Sequence, residues 1–410
     1  MIKAIVASLG GTPDPIIKTI EDYEPDSVYF IVSAESSVQI KKDGELSKRT
    51  EHIEYEHEVF GITDHNNLVD CYLASLRAIS RAKEKFSPAE ILVNYTGGTK
   101  CMAAALVLAS MDGDFKHCYI GGRVRDAVGR VKNGYEMVFI ESSPRIALGV
   151  NDLNDAMLLF NRNVIGGAEK ILRRADSVIA NHPEVSKQMR GLRDVVNVYL
   201  RWDGFDHVAA KRILDGCELD IFDVDSRKTI ESDKIILYRL LERSKGRTEL
   251  CMELVLDVIS NAERRAEEGH YDDAIARLYR ALEMIGQYRL KEKGYDASDM
   301  KIEDEDLKKK YERYNGENGR IKLSLVAGFG FLHDLGDEWG RIFVEDFNGF
   351  KKHLDKRNLS IFAHGTETRS KEDYLKFKMD IKKFIEACGA EYLEVEFPEF
   401  SEELTRRIFR

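Results

Sequence analysis

The fold of the N-terminal part is decided by residues 94–100, which read Asn94-Tyr95-Thr96-Gly97-Gly98-Thr99-Lys100. They follow a short apolar run, Glu90–Tyr95, that predicts a β-strand, and they precede Ala103–Ala109, which predicts a buried helix. A second glycine turn, Ser8-Leu9-Gly10-Gly11-Thr12-Pro13, follows another predicted strand, Ile2–Ser8. Strands that alternate with helices in this way indicate a mostly parallel sheet.

The remainder of the N-terminal part agrees with an α/β domain. Ser27–Ser33 is a further apolar run, and Leu68–Phe86 carries apolar residues at helical spacing. Cys118–Ile140 differs, because glycine pairs and Asn133-Gly134 punctuate strand-like runs and predict a β-hairpin at the edge of the sheet. We therefore predict a Rossmann-like domain over residues 1–145.

From about Asn151 the pattern becomes helical. The first group of expected helices is Ala156–Leu172, Val185–Arg201 and Phe205–Leu214. A polar connection, Asp220–Lys234, leads to a second helical group, whose clearest member is Leu254–Leu290 with a break at Gly269-His270. Beyond them we expect a charged loop over residues 294–320, a helix over Trp339–His364 that ends at Gly365, and a strand over Glu391–Phe397. The predicted division is an α/β domain (1–145), a connecting helical region (146–240) and an all-α domain (241–410).

Composition narrows the class of protein. The chain has 410 residues, 43% of them hydrophobic and 33% charged, so it can bury substantial cores. A net charge of −10 argues against stable binding of duplex DNA. No apolar stretch approaches the about 20 residues that span a bilayer, and the start does not resemble a signal peptide, so we expect a cytoplasmic protein. Its six cysteines form no CxxC pair, which argues against a zinc site or a disulfide framework.

The two glycine turns form the first candidate site. In open parallel sheets, ligands bind beyond the carboxyl ends of the strands, and glycines let backbone N–H groups approach a phosphate. Thr12, Thr96 and Thr99 supply hydroxyls, Lys100 supplies charge, and the following helix directs its positive end to the same place. Neither turn is a GxGxxG or Walker motif, which disfavours nicotinamide enzymes and P-loop ATPases. The alternative is that both are ordinary strand-to-helix turns.

The second candidate site combines Arg357, Asn358 and His364. Positions seven apart on a helix lie about two turns apart on nearly the same face, so Arg357 and His364 can point into one cleft while Leu359, Ile361 and Phe362 pack. A guanidinium can stabilise the phosphorane formed when a ribose 2′-OH attacks its phosphate, and a histidine can transfer the proton without a metal. The alternative is a surface arginine and a histidine at a helix end.

Asn94–Met102 and Ser8–Thr12 resemble the signatures of CRISPR-associated Rossmann-fold (CARF) domains. The resemblance covers roughly residues 1–145 and implies that two copies pair and hold a cyclic oligoadenylate. The residues expected to bind this ligand are Leu9, Gly10, Gly11, Thr12, Ser33, Ala34, Glu35, Thr96, Gly97, Gly98, Thr99, Lys100 and Met102. Some members of the family also cleave the ring with positions that correspond to Thr99 and Lys100.

Arg357–Gly365 resembles the RX4–6H motif of HEPN ribonucleases. The resemblance implies that Arg357 and His364 of two protomers build one composite cleft, with Asn358 as a polar assistant. The helix over Gly269–Leu290 is similar to the HEPN helix that faces this motif. On it, Glu283 either orients Arg357 or forms a surface salt bridge.

The order CARF then HEPN resembles the Csm6- and Csx1-like effectors of type III CRISPR systems, including the Cas02710-type family. It implies an antiviral, homodimeric endoribonuclease that cyclic oligoadenylate activates allosterically and that cleaves single-stranded RNA without a metal or other cofactor. It implies no membrane partner and no stable binding to DNA. Two alternatives remain: a sensor that regulates without catalysis, and a ring nuclease that degrades its ligand. His65 carries no expected role, because Asp64 or Asn66 is expected to cap the helix that follows.

Overall fold

The computed structural model describes residues 1–122, 124, 135, 137–142, 146–179, 183–316, 320–363 and 365–409. The chain divides into two compact units. The N-terminal unit is Met1–Asn151 with Ser177–Pro183, and the C-terminal unit is Asp152–Asp176 with Glu184–Arg410. The predicted functional division at residues 145 and 240 stays a prediction. Within the described ranges, no helix is both long and apolar enough to cross a membrane.

The N-terminal unit is built on one mixed sheet. Its described strands are β1 (Ala4–Leu9), β2 (Ser27–Val32), β3 (Glu56–Gly61), β4 (Ile91–Asn94), β5 (Lys116–Gly121) and β6 (Met137–Ser142). They lie in the order β3-β2-β1-β4-β5-β6; neighbours are parallel except β5 and β6, which are antiparallel. The predicted mostly parallel sheet and its antiparallel edge are confirmed, whereas the Asn133-Gly134 turn lies outside the described residues.

Helices cover both faces of this sheet. They are α1 (Asp14–Tyr23), α2 (Glu45–Arg49), α3 (Leu68–Lys83) and α4 (Lys100–Ala109). Strands β1, β2 and β4 are buried along their whole length, which explains their continuous apolar sequence. One layer of core packs α3 and α4 against the sheet, and the other packs α1 and α2.

Beyond the sheet the described chain is helical. The helices are α5 (Ile146–Asn161), α6 (Ile165–Ile179), α7 (Pro183–Asp203), α8 (His207–Leu214), α9 (Val224–Arg243), α10 (Met252–Glu267), α11 (Tyr271–Glu292), α12 (Glu305–Tyr311), α13 (Leu325–Asp334), α14 (Glu338–Glu345), α15 (Phe347–Asn358), α16 (Lys371–Ala387) and α17 (Glu402–Ile408). The break predicted at Gly269-His270 separates α10 from α11, with Gly269 at φ +84°. The predicted fold class, α/β followed by all-α, is confirmed.

Several predicted boundaries were wrong. Ala156–Leu172 is not one helix, because the chain turns at Asn163 with φ 64° between α5 and α6. Asp220–Lys234 is not a connection: Asp223 accepts hydrogen bonds from the amides of residues 225 and 226 and starts α9. The expected loop over 294–320 contains α12, and Trp339–His364 contains two helices, the second ending at Asn358.

The segment predicted as the strand Glu391–Phe397 has no regular secondary structure. Together with α17 it forms the C-terminal strap, which we define as residues 391–409. The Val395 amide donates to Ser260 Oγ of α10 at 2.8 Å, and the Phe400 amide donates to Asn161 Oδ1 of α5 at 2.9 Å. The Phe397 ring lies 4.5 Å from that of Tyr199 and 5.8 Å from that of Trp202. The alternating apolar residues of the strap therefore pack against helices rather than against a sheet.

Candidate functional sites

The first site lies at the point where the strand order reverses. Strands β1 and β4 are neighbours, yet β1 continues to β2 on one side and β4 to β5 on the other. In such sheets the crevice beyond the carboxyl ends of the two central strands is the usual ligand site. These two ends carry the predicted glycine turns, residues 10–12 and 96–99, so the topology brings both turns to one crevice.

The two turns touch through their backbones. A Cβ atom on Gly97 would lie 2.4 Å from the carbonyl oxygen of Ser8, and one on Gly10 would lie 2.6 Å from the amide nitrogen of Gly98. The Ser8 hydroxyl donates a hydrogen bond of 2.7 Å to the carbonyl of Gly97. Gly98 has φ +86°, which favours glycine. The glycines are thus required for the turns to meet.

The two threonines of the second turn hold its shape. The Thr96 hydroxyl accepts from the Ile120 amide at 2.8 Å. The Thr99 hydroxyl caps α4 by accepting from the Met102 amide at 3.3 Å, and it donates to the carbonyl of His65 at 2.6 Å. The Lys100 side chain is exposed at the first position of α4. The hydroxyls of Thr96 and Thr99, which were predicted to contact a ligand, therefore have hydrogen-bond partners within the protein, while Lys100 faces solvent.

The remaining predicted residues divide into exposed and buried sets. Gly11, Thr12, Ala34 and Glu35 are exposed, and Gly10 is partly so. Leu9, Ser33 and Met102 are buried, with 0%, 8% and 1% of their surface accessible. The exposed set forms the accessible rim of the crevice, and the buried set supports it from below.

His65 also lies at this crevice, although no motif in the sequence indicated this position. Its Nδ1 lies 3.7 Å from Glu35 Oε2, and its carbonyl holds Thr99. The Ser33 hydroxyl lowers the pKa of the Glu35 carboxyl, so Glu35 is an anion that faces His65. The expected cap was wrong: Asn67, rather than Asp64 or Asn66, accepts from the first amides of α3. The position of His65 at the crevice follows from the spatial order of the strands, which the sequence alone does not show.

The second site starts from the last turn of α15. Phe350 and Leu354 are buried, and Arg357 follows them at the next position on the same helical face. The Arg357 guanidinium consequently lies over the ring of Tyr279 on α11, 4.3 Å from its centroid. Its Nη1 donates to Asn358 Oδ1 at 3.3 Å, whereas its buried Nε finds no hydrogen-bond partner within the described part of the chain.

The helix does not continue to residue 364, so the argument that placed Arg357 and His364 on one helical face was wrong. Residues 359–363 form turns, and His364 itself lies outside the described residues. The Ile361 amide donates to the Glu367 carbonyl at 3.1 Å, and the Glu367 amide donates to the Leu359 carbonyl at 3.1 Å. A Cβ on Gly365 would lie 1.9 Å from the Leu359 oxygen. A closed loop therefore replaces the predicted final turns.

Three apolar residues of this loop were expected to pack, but they are exposed. The accessible fractions of Leu359, Ile361 and Phe362 are 51%, 60% and 61%. Ser360, between them, is buried at 2%. The loop thus presents an apolar surface next to Arg357.

Glu283 forms its ion pair with Arg280 rather than with Arg357. It accepts from Arg280 Nη1 at 2.5 Å, which corresponds to the salt-bridge alternative. All six cysteines are free thiols. Across the residues that the structure describes, no three His, Cys, Asp or Glu side chains form a group that could hold a metal ion.

Comparison with known proteins shows which family model the helical region matches and which solved structure the whole chain resembles. Residues 243–387 match a family model described as the Csm6 HEPN domain, so the expected HEPN resemblance of the all-α region is confirmed. The whole chain superposes on the structure "Enterococcus italicus Csm6 bound to cyclic hexa-2'-fluoro-hexa-dAMP" with a TM-score of 0.60, 15% identity, and coverage of 100% of this chain and 99% of that one. The chain therefore has the two-part fold of Csm6.

A second structure, Can2 from Sulfobacillus thermosulfidooxidans in complex with cyclic tetra-adenylate, is 18% identical over 29% of this chain and 31% of its own, with a TM-score of 0.25. No curated protein matches the chain.

Proposed function

We propose that this protein is an accessory endoribonuclease of type III CRISPR defence. A cyclic oligoadenylate bound in the crevice between β1 and β4 activates it, and it cuts single-stranded RNA without a metal. The observation that carries the proposal is Arg357: its half-buried guanidinium is held over the ring of Tyr279, within the segment that matches the HEPN model.

The chemistry follows from the guanidinium. Its Nη1 donates to Asn358 Oδ1 and its Nε is buried without a partner among the described residues, so its remaining N–H groups are the proposed donors to phosphate oxygens. Such donors stabilise the charge that develops when a 2′-OH attacks the adjacent phosphate. By the family motif, His364 moves the proton, since imidazole titrates near neutral pH.

The active form is proposed to be a homodimer. One chain offers a single Arg357 beside the exposed side chains of Leu359, Ile361 and Phe362. A contiguous apolar surface around a functional group is typical of a protein interface. Pairing two such surfaces covers them and brings two copies of Arg357, Asn358 and His364 to one composite cleft.

The activator is proposed to bind the rim of the crevice. Backbone amides of residues 10–12 and 96–98, the N-terminus of α4 and the Lys100 ammonium suit phosphodiester groups. The structure of Enterococcus italicus Csm6, whose fold this chain shares, contains a cyclic hexanucleotide analogue. Activation requires the ligand to bind the active dimer more tightly than the inactive one. Ring cleavage is the weaker candidate, because the Thr99 proton is already donated to the His65 carbonyl.

A cleavage assay tests the proposal. Fluorescent single-stranded RNA is incubated with the protein in EDTA, with and without cyclic tetra- or hexaadenylate. We expect cleavage only with an activator and at least about a 100-fold loss in Arg357→Ala and His364→Ala, as for general acid–base residues. Arg341→Ala is the matched control, since Arg341 is an exposed arginine on α14 that pairs with Glu345 at 2.7 Å. Cleavage that needs magnesium, or that persists in His364→Ala, would contradict the mechanism.

A further inference from the structure

Tyr279 lies directly under the functional group of the second site. Its ring is half-buried on α11 between Leu278 and Leu282, whose side chains are fully buried. The centroid of the ring is 4.3 Å from the Arg357 guanidinium carbon. A cation at this distance over an aromatic face is attracted by the electrons of the ring. The sequence motif around residue 357 gives no indication of this partner.

The contact with Tyr279 is not a hydrogen bond, so it occupies none of the N–H groups of the guanidinium. Asn358 Oδ1 occupies Nη1 at 3.3 Å, on one edge. Nε, on the opposite edge, is buried and has no hydrogen-bond partner among the described residues. The ring of Tyr279 therefore restrains the guanidinium without consuming its remaining N–H donors.

The hydroxyl of Tyr279 contributes little to this arrangement. Burial raises its pKa, the Glu283 carboxylate raises it further, and the Arg357 cation lowers it. The phenol is thus neutral at physiological pH. The hydrogen bonds of the described residues include none from this hydroxyl. The aromatic face is the part of Tyr279 that acts on Arg357.

We infer that Tyr279 is a positioning residue for the nuclease: its ring pre-orients the Arg357 guanidinium so that the remaining N–H donors of this group are already directed when the phosphate reaches the transition state. This inference rests on the proposed function. An arginine is long and flexible, and a free one must be ordered during the reaction, which raises the barrier. Since the orienting contact exists before substrate binds, its removal affects the chemical step more than RNA binding.

Two substitutions separate the ring from the hydroxyl. Tyr279→Phe keeps the aromatic face, and Tyr279→Leu removes it at similar volume. With saturating activator, we expect Tyr279→Phe to keep kcat within about 2-fold and Tyr279→Leu to lower it about 5- to 30-fold, as the usual strength of such contacts implies, with KM nearly unchanged. Tyr288→Leu is the matched control, because Tyr288 is a half-buried tyrosine on the same helix whose hydroxyl donates to Glu292 at 2.7 Å.

The outcomes distinguish this inference from the proposed function. Activity in Arg357→Ala overturns both. An inactive Arg357→Ala with a fully active Tyr279→Leu overturns the inference alone. Three other results also overturn it. They are an equal fall of kcat in Tyr279→Phe and Tyr279→Leu, a rise of KM in place of a fall of kcat in Tyr279→Leu, and a fall of kcat of the same size in Tyr288→Leu. Melting temperature and sedimentation are measured for each variant, and a loss that follows unfolding or dissociation of the dimer counts against the positioning role.

Discussion

Gly97 lies so close to the first strand that it has no room for a side chain. Its neighbour across the crevice is the backbone of Ser8, which cannot move without disturbing the centre of the sheet. The sequence predicted a glycine turn here, since glycines after a strand are readable locally. It did not predict that the two turns touch, because that contact depends on the order of the strands.

Replacing Gly97 by alanine tests this contact. The new Cβ would lie 2.4 Å from the Ser8 oxygen, so we expect the free energy of unfolding to fall by about 1–3 kcal/mol and binding of cyclic oligoadenylate to be lost. Gly61→Ala, at the end of β3 and outside the proposed ligand site, is the control, because nothing lies within 4 Å of a Cβ there. Urea unfolding and ligand-induced melting shifts measure both effects. Equal behaviour of the two variants would show that the turns are not in tight contact.

Some residues of the second site can be predicted from the sequence and others cannot. Arg357 and Asn358 belong to a short motif, which can be recognised in the sequence alone. Tyr279 is far away in sequence and meets Arg357 only because α15 packs against α11. Likewise, His65 reaches Glu35 only because β2 and β3 are neighbours. Residues that act through tertiary packing leave no local signal.

Helix α9 shows why a polar stretch was mistaken for a connection. Its buried positions are Ser226, Ile230, Asp233, Leu237 and Leu240, at helical spacing, but two of them are polar. Asp233 in particular occupies a buried position where the periodic pattern of an amphipathic helix would place an apolar residue. It is 3% exposed and accepts a hydrogen bond from the Tyr199 hydroxyl of α7 at 2.8 Å. Strand β3 was missed for a related reason, since Glu56, His57 and Glu58 on this edge strand are polar.

Burial raises the pKa of Asp233 to about 7 from its usual 3.8. The folded state thus binds this proton more tightly than the unfolded state, and stability present below pH 3.8 is lost as the pH rises through about 7. Asp233→Asn cannot ionise, so its stability relative to wild type should increase between pH 5 and 8, by up to about 3 kcal/mol.

Chemical unfolding at several pH values checks this expectation. Asp220→Asn is the control, because the Asp220 side chain is 96% exposed. If Asp233→Asn and wild type change in parallel over this pH range, Asp233 is ionised in the folded protein and the prediction is wrong.

For the whole molecule, the sequence predicted the fold class better than the boundaries. The change from alternating strands to helices near residue 146 is a large-scale pattern that survives local errors. The end of α15 depends on local interactions: the Glu367 amide donates to the Leu359 carbonyl and the Glu367 carbonyl accepts from the Ile361 amide, and these bonds compete with further helical turns. Such competition depends on a few interactions and is not readable from periodicity.

The proposed homodimer is tested by placing a charge in the exposed loop. Phe362→Glu inserts a carboxylate into an apolar surface, and we expect the dissociation constant of the dimer to rise at least about 10-fold and RNA cleavage to fall with it. Because the proposed ligand binds the active dimer more tightly, the melting shift that it causes should shrink, but it should not vanish, since the crevice lies in the N-terminal unit. Sedimentation over a concentration series measures the dimer.

Ile235→Glu is the matched control, because Ile235 is a 64% exposed apolar residue of α9. A Phe362→Glu variant that remains dimeric and active would show that the loop is not part of the dimer interface.

The C-terminal strap has a consequence for biosynthesis. Asn161 and Phe400 pair across 239 positions, and Thr405 reaches back to Asn154 across 251. A chain still attached to the ribosome makes α5, α7 and α10 long before the residues that tie them together emerge, and contacts so distant in sequence form late. The helical half therefore closes only after the strap has emerged from the ribosome. Under the proposed function, a nascent polypeptide held beside its own messenger RNA has not yet closed its helical half and does not cut that transcript.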